Sequence, residues 1–108
     1  MPRVNVPLNT PTRAGIALTT TPGDATNHHV MVNDGRTAIL IKNTGSTVAR
    51  VVTFKISKKV DGQAVTARTA SLVAGEQKLF GPFSVEEYGG RMEIDVAHAE
   101  LTLTPIKL

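Results

Sequence analysis

From His28 onward the chain alternates apolar and polar residues in short runs, and each run ends at Gly, Asn, Asp or Pro. A period of two is the signature of strands with one buried face. His29–Val32 reads as a short half-buried strand, closed by the turn signal Asn33-Asp34-Gly35. Thr37–Asn43 (TAILIKN) is β-branched and apolar in its middle, which predicts a central strand with Ile39 and Ile41 inward. Asn43-Thr44-Gly45-Ser46 then turns the chain back. Over residues 48–56, Val48, Val52, Phe54 and Ile56 share one face and Thr53 and Lys55 the other. Arg50 interrupts that apolar face, which predicts a sheet-edge position from which its stem lies along the core while its charge reaches water. In Arg91–Val96, Met92, Ile94 and Val96 point one way and Glu93 and Asp95 the other. Residues 100–108 alternate Leu101 and Leu103 with Thr102 and Thr104 until Pro105. Proline cannot donate to a ladder, so a bulge or an edge is expected there.

The connections carry as much information as the strands. Asp61-Gly62 sits between Lys58-Lys59-Val60 and Gln63-Ala64-Val65, the composition of a two-residue type I′ hairpin. Lys58 shares the parity of Phe54 and Ile56, so the inward face has run out and the hairpin tip projects beyond the core. Residues 71–88 (SLVAGEQKLFGPFSVEEY) hold three of the four aromatic residues. Two strands, residues 68–73 and Gln77–Phe80, are bounded by Ala74-Gly75-Glu76 and by Gly81-Pro82. This predicts a crossing between two sheets, with Phe80, Phe83 and Tyr88 plugging one end. Val85–Tyr88 has room for one helical turn, and no longer helical period appears.

Residues 1–27 differ from the rest. Pro2, Pro7, Pro11 and Pro22 exclude a helix and a central strand. Val4 to Leu8 alternates briefly, residues 14–18 read as another short strand, and residues 19–27 read as loop. The expected architecture is an extended Pro-rich N-terminal arm, residues 1–27, before an all-β domain, residues 28–108. About eight strands joined by tight turns predict an antiparallel β-sandwich, jelly-roll-like, or a small barrel.

Composition narrows the classes. A chain of 108 residues makes one domain, and its core must be aliphatic because Trp is absent and only four residues are aromatic. There is no cysteine, hence no disulfide framework and no thiolate site. No stretch approaches the ~20 apolar residues of a membrane helix. The N-terminus carries no apolar run of the signal-peptide kind, so synthesis and folding in a cytoplasm are expected. The net charge of +3 is uneven: residues 1–60 carry eight basic and two acidic residues, residues 61–108 four and seven. Such polarity can steer contact with a charged surface. The bases are neither clustered nor interleaved with aromatics, which argues against nucleic acid.

Candidate chemistry is sparse. His28 and His29 are adjacent and would face opposite sides of a strand, and His98 is remote, so surface or edge histidines are expected rather than a metal site. Glu93 and Asp95 share a strand face, but the chain lacks the aromatic platforms of a carbohydrate cleft, and a solvated acidic face is expected. No serine has nucleophile-elbow context and no Gly-rich phosphate loop precedes a helix. The expectation is a protein that is not an enzyme and takes no cofactor, metal or small-molecule substrate.

Several of these features recur together elsewhere. Val73-Ala74-Gly75-Glu76 after a strand, then Phe80-Gly81-Pro82-Phe83 and Tyr88, following a strand of the TAILIKN type, resemble a group of small structural proteins of tailed bacteriophages. The resemblance spans residues 35–108, and the first 27 residues match no part of it. It implies an all-β virion protein of the head or neck, similar to capsid decoration (cement) proteins, with no catalytic residues. Decoration proteins are commonly trimers where capsid subunits meet, so the implied partners are the major capsid protein and copies of the chain itself. The implied location is the capsid surface of the virion, after synthesis in the host cytoplasm. A head–tail neck or tail part is the alternative, and a soluble ligand-binding or adhesion domain the further one. Candidate contact residues are Arg3, Val4, Val6, Leu8 and Arg13 in the arm and Lys58, Lys59 and Asp61 at the hairpin.

Overall fold

The structure, a computed structural model, describes residues 3–107. In chain order its strands are β1 (Val4–Asn5), β2 (Thr21–Pro22), β3 (His29–Val32), β4 (Thr37–Asn43) and β5 (Arg50–Phe54). There follow β6 (Lys59–Val60), β7 (Gln63–Ala64), β8 (Arg68–Leu72), β9 (Gln77–Phe80), the helical turn α1 (Val85–Tyr88), β10 (Arg91–Val96) and β11 (Leu101–Lys107). The first sheet has the order β1-β3-β10-β5-β8 and the second β2-β11-β4-β9, with β6-β7 a separate hairpin. The strands pair antiparallel except β1 with β3, and the isolated bridge of Asn9 with Ile106 is parallel too.

Both sheets donate one face to a shared core. Met31, Val52, Phe54, Leu72, Met92 and Ile94 of the first meet Ile39, Ile41, Leu101 and Leu103 of the second, all fully buried. The period of two in the sequence is therefore the inward–outward alternation of two layers, a sandwich-like arrangement. Among the described residues the two sheets stay open, with no pairing that would close a barrel. The crossing between sheets falls where the turn signals put it, from β8 to β9. The Asp61-Gly62 turn has the two positive φ angles of a type I′ hairpin, 52° and 74°. At one end of the sandwich the Phe54 ring packs 5.0 Å from Phe80 and 5.2 Å from Phe83, and Phe83 lies 5.0 Å from Tyr88.

Within residues 3–27 the chain bonds to both sheets. Val4 and Val6 donate their N–H groups to the His28 and Val30 carbonyls at 2.9 Å, and the Val6 side chain is 1% exposed in the core. The chain then crosses to the second sheet. There Asn9 N–H donates to Pro105 O and Lys107 N–H to Asn9 O, both at 2.9 Å.

Several expectations need correction. Residues 14–18 form no strand, and residues 19–27 contain β2 rather than loop alone. Val48 is exposed and β5 begins only at Arg50, because the Val48 carbonyl is taken by the Asn43 side chain. Pro105 causes no bulge: β11 stays in register with β4 from Leu101 opposite Asn43 to Lys107 opposite Thr37. Its carbonyl faces Asn9, so its donor-less nitrogen faces that side too and the β4 ladder loses nothing. Leu108, placed in the last strand by the sequence, lies outside the described residues. His29 is no surface histidine. It is fully buried, on the inward parity of Met31, with Nε2 accepting the Asp24 N–H at 2.8 Å.

Candidate docking face and sheet edges

The outer faces of the two sheets differ in kind. On the first, Arg3 crosses from the arm and joins two carboxylates, Nη1 to Asp95 Oδ1 at 2.6 Å and Nε to Glu93 Oε2 at 3.1 Å. Lys55 Nζ reaches Asp95 Oδ2 at 3.6 Å. Partial burial opposes ionisation of Asp95, but the hydrogen bond and charge of Arg3 outweigh it, helped by His28 and Lys55, and hold its carboxyl below the usual value. The two carboxylates of this face are thus paired, while Val32 and Val51 stand exposed on either flank of them.

The same compensation runs through the molecule. Arg50 pairs with Glu100 at 2.9 Å and Lys58 with Glu86 at 3.3 Å. Four bases of the first sixty residues thus meet acids of the remainder, so the charge imbalance along the sequence is largely cancelled in space. These pairs are partly exposed and contribute at most about 1 kcal/mol each; their consequence is for the surface potential.

The second sheet presents the opposite surface. Its inward residues are Ile39, Ile41, Leu101 and Leu103, so the outward ones are Ala38, Leu40 and Lys42 of β4, Thr102, Thr104 and Ile106 of β11, and Leu79 of β9. Register sets Leu40 beside Leu79 on one flank and Thr104 on the other, and Ala38 beside Ile106. Leu79 is 61% exposed, Leu40 and Ile106 are half-buried, and Ala38 and Thr104 are buried despite their outward parity. Lys42 is the single charge among these residues, and it makes no ion pair with the described residues.

The edges differ as well. Glu93 O accepts from Lys55 N–H, and Ala97 N–H donates to Val51 O, so Val51 and Lys55 turn their peptide groups to β10 while Val52 and its neighbours of like parity turn theirs to β8. Ser71 therefore points its backbone outward. Lys78 Nζ caps its carbonyl at 3.4 Å, and the Glu76 carboxylate accepts the neighbouring Val73 N–H at 3.0 Å. Asn43 exchanges backbone bonds with Glu76 and Gly75, so Ile41 and Ile39 face Lys78 and Phe80 across the ladder. Gln77 and Leu79 are left with outward N–H and C=O groups, and no strand of the described residues lies beyond them.

The contact residues expected from the sequence scatter. Arg3 is occupied by Glu93 and Asp95, Val6 is in the core, and Val4 and Leu8 are half-buried. Arg13 is exposed near the tip of the loop that follows Asn9. Lys58, Lys59 and Asp61 are exposed on the projecting hairpin. The structure does not bring the arm and hairpin sets together. What sequence reasoning missed is the face built from Leu40, Leu79 and Ile106; its signal was the second parity of strands whose first parity was already assigned to the core. A shallow cleft of about 450 Å³ lies beside Arg68, Phe80, Phe83 and Tyr88, open to solvent. No protein-family model, curated protein or solved structure matches this chain.

Proposed function

We propose that this chain is a non-enzymatic structural protein of a virion, a decoration protein that binds an assembled capsid shell through the outer face of its second sheet. The contrast between the two outer faces supports this reading: one carries the ion pairs of Arg3 and Lys55 with Glu93 and Asp95, the other sets exposed Leu79 beside half-buried Leu40 and Ile106, with Lys42 as the single charge and no ion pair to it among the described residues. Contiguous exposed apolar surface on a small domain marks an interaction site. The partner it fits is a protein surface with an apolar centre and a carboxylate near Lys42, as a capsid subunit can present. The phage-like order of Val73-Ala74-Gly75-Glu76, Phe80-Gly81-Pro82-Phe83 and Tyr88 gives the partner its class.

The test is co-sedimentation of the purified chain with empty shells of the phage that encodes it. Wild-type chain pellets with shells, and Ile106→Glu lowers the bound fraction at least tenfold while Thr53→Glu, on the opposite face, leaves it unchanged. Because only Lys42 contributes charge, raising salt from 0.05 to 0.5 M weakens binding less than about tenfold. Equal binding by both variants refutes the face. A ring of higher order with no affinity for shells reassigns the chain to the head–tail neck or tail.

A further inference from the structure

We infer that β9 is a self-pairing edge, through which two copies join their second sheets across a two-fold axis at Leu79. An unguarded edge strand is a template for another strand, and natural domains blunt such edges with lysines, prolines or bulges. Of the β8 and β9 edges only β8 carries such blunting, at its C-terminal end. Lys78 and Glu76, which precede or sit in β9, turn their side chains to the β8 edge and satisfy Ser71 O and Val73 N–H. The β9 edge is left with the outward peptide groups of Gln77 and Leu79, beside an exposed leucine.

The register follows from that parity. Outward groups occur only at the odd positions of the strand, so an antiparallel partner must set odd residues opposite odd ones. Centring the axis on Lys78 places two ammonium groups against each other. Centring it on Gln77 sets Leu79 opposite Gly75, where no side chain meets it. Centring it on Leu79 stacks the two leucines on the outer face, each flanked by its own Leu40. That arrangement also sets Lys78 opposite Phe80 and Gln77 opposite Gly81, with no like charges facing. Of the three registers it alone sets leucine against leucine, and a two-fold contact needs the same patch on both copies. The product is a continuous eight-stranded sheet carrying two docking faces side by side. This symmetry differs from the trimer that the phage resemblance implies, and the inference stands on the edge alone, without the capsid reading.

The chain has no cysteine, so a single introduced thiol reports the register directly. In a hydrogen-bonded antiparallel pair Cα atoms lie about 5.5 Å apart, within disulfide reach. Residue 77 and its mate would lie roughly 14 Å apart along the strands. In air-oxidised full-length protein without shells, Leu79→Cys gives a covalent dimer and Gln77→Cys stays monomeric on non-reducing gels. Sedimentation equilibrium of cysteine-free protein shows a concentration-dependent dimer, and Leu79→Glu raises its dissociation constant at least tenfold. A monomer at every concentration, a trimer, equal crosslinking of the two cysteine variants, or a Gln77→Cys dimer alone overturns the pairing. Because shells are absent, such a failure leaves the docking face standing.

Discussion

Replacing Asn43 by alanine tests whether this sandwich is held at one corner by a side chain rather than by its turn. Asn43 is fully buried at the end of β4. Its Nδ2 donates to Val48 O at 2.9 Å and Leu72 O at 3.0 Å, and its Oδ1 accepts the Gly45 N–H at 2.9 Å. One amide thus ties β4, the entry to β5 and the end of β8. Alanine removes all three bonds. At about 1 kcal/mol net for each bond, plus a further ~1 for buried groups left short of a partner, the loss is roughly 3–4 kcal/mol. Domains of this size hold about 5–15 kcal/mol in total, and each kcal/mol lowers the melting temperature by roughly 4 °C, so a fall of about 12–16 °C is expected. Thr44→Ala next door loses one exposed bond, Oγ1 to Glu100 O at 2.7 Å, and should cost less than about 1 kcal/mol. Thermal and urea melts of both variants decide it. A fall of under 4 °C for Asn43→Ala, or equal losses for the two, would show that the turn alone holds the corner.

His29 gives a pH signature. Burial depresses its pKa below the ordinary 6.5, while the nearby Asp24 charge and the Val4 carbonyl pull the other way and His28 and Arg3 add to the depression. Below pH 6.5 the unfolded chain then binds this proton more readily than the folded one. Stability is therefore full above about 6.5 and drains as the pH falls from there toward the lower folded value. Protonated Nε2 also ceases to accept the Asp24 N–H. Melts between pH 7.5 and 5 should show this slope, and it should flatten in His29→Gln; an unchanged slope refutes the assignment. Gly23→Ala would place its Cβ 2.5 Å from Leu101 O and 2.9 Å from His98 O, both backbone atoms. A loss of at least about 2 kcal/mol is expected, and a melt within 2 °C of wild type would contradict the close approach.

The strand frame was legible because one rule generated it. Met92 and Ile94, and Val52 and Phe54, alternate with polar neighbours, and burial of one face forces that parity; Ile39 and Ile41 were legible as β-branched residues two apart in a short apolar run. The Asp61-Gly62 turn was legible because few residue pairs accept two positive φ angles. Asn33 and Asn43 were legible only as turn formers, since nothing in a sequence distinguishes an amide that turns to solvent from one that turns inward to cap carbonyls. In both, Oδ1 caps the N–H two residues on, at Gly35 and Gly45, while Nδ2 reaches distant carbonyls. His29 was misjudged because adjacent histidines suggested opposite exposure. His28 in fact takes a positive φ of 61°, so the polar half of the loop precedes the strand and the alternation starts one residue later. The docking face was hidden because Ala38, Leu40 and Ile106 lie on the parity left over once Ile39 and Ile41 are set inward, and only the register brings them beside Leu79 and one another.

The position of β11 has a consequence for how the chain comes to be folded. Its last described strand, Leu101–Lys107, is an interior member of the second sheet, between β4 on one flank and β2 with Asn9 on the other. Sheet closure thus waits until residues 101–107 have left the ribosome. Until those residues emerge, β4 has one missing neighbour and the arm has no surface on the second sheet to cross to. Nascent chains expose Ile39, Ile41 and Val6 together, so a ribosome-stalled or prematurely ended product is a sticky intermediate rather than a smaller version of the protein. Contacts so distant in sequence also make for slow folding, on the millisecond-to-second scale of other all-β domains. Removing residues 101–107 would take out the middle of a sheet, and a purification tag belongs where it does not have to be threaded past that strand.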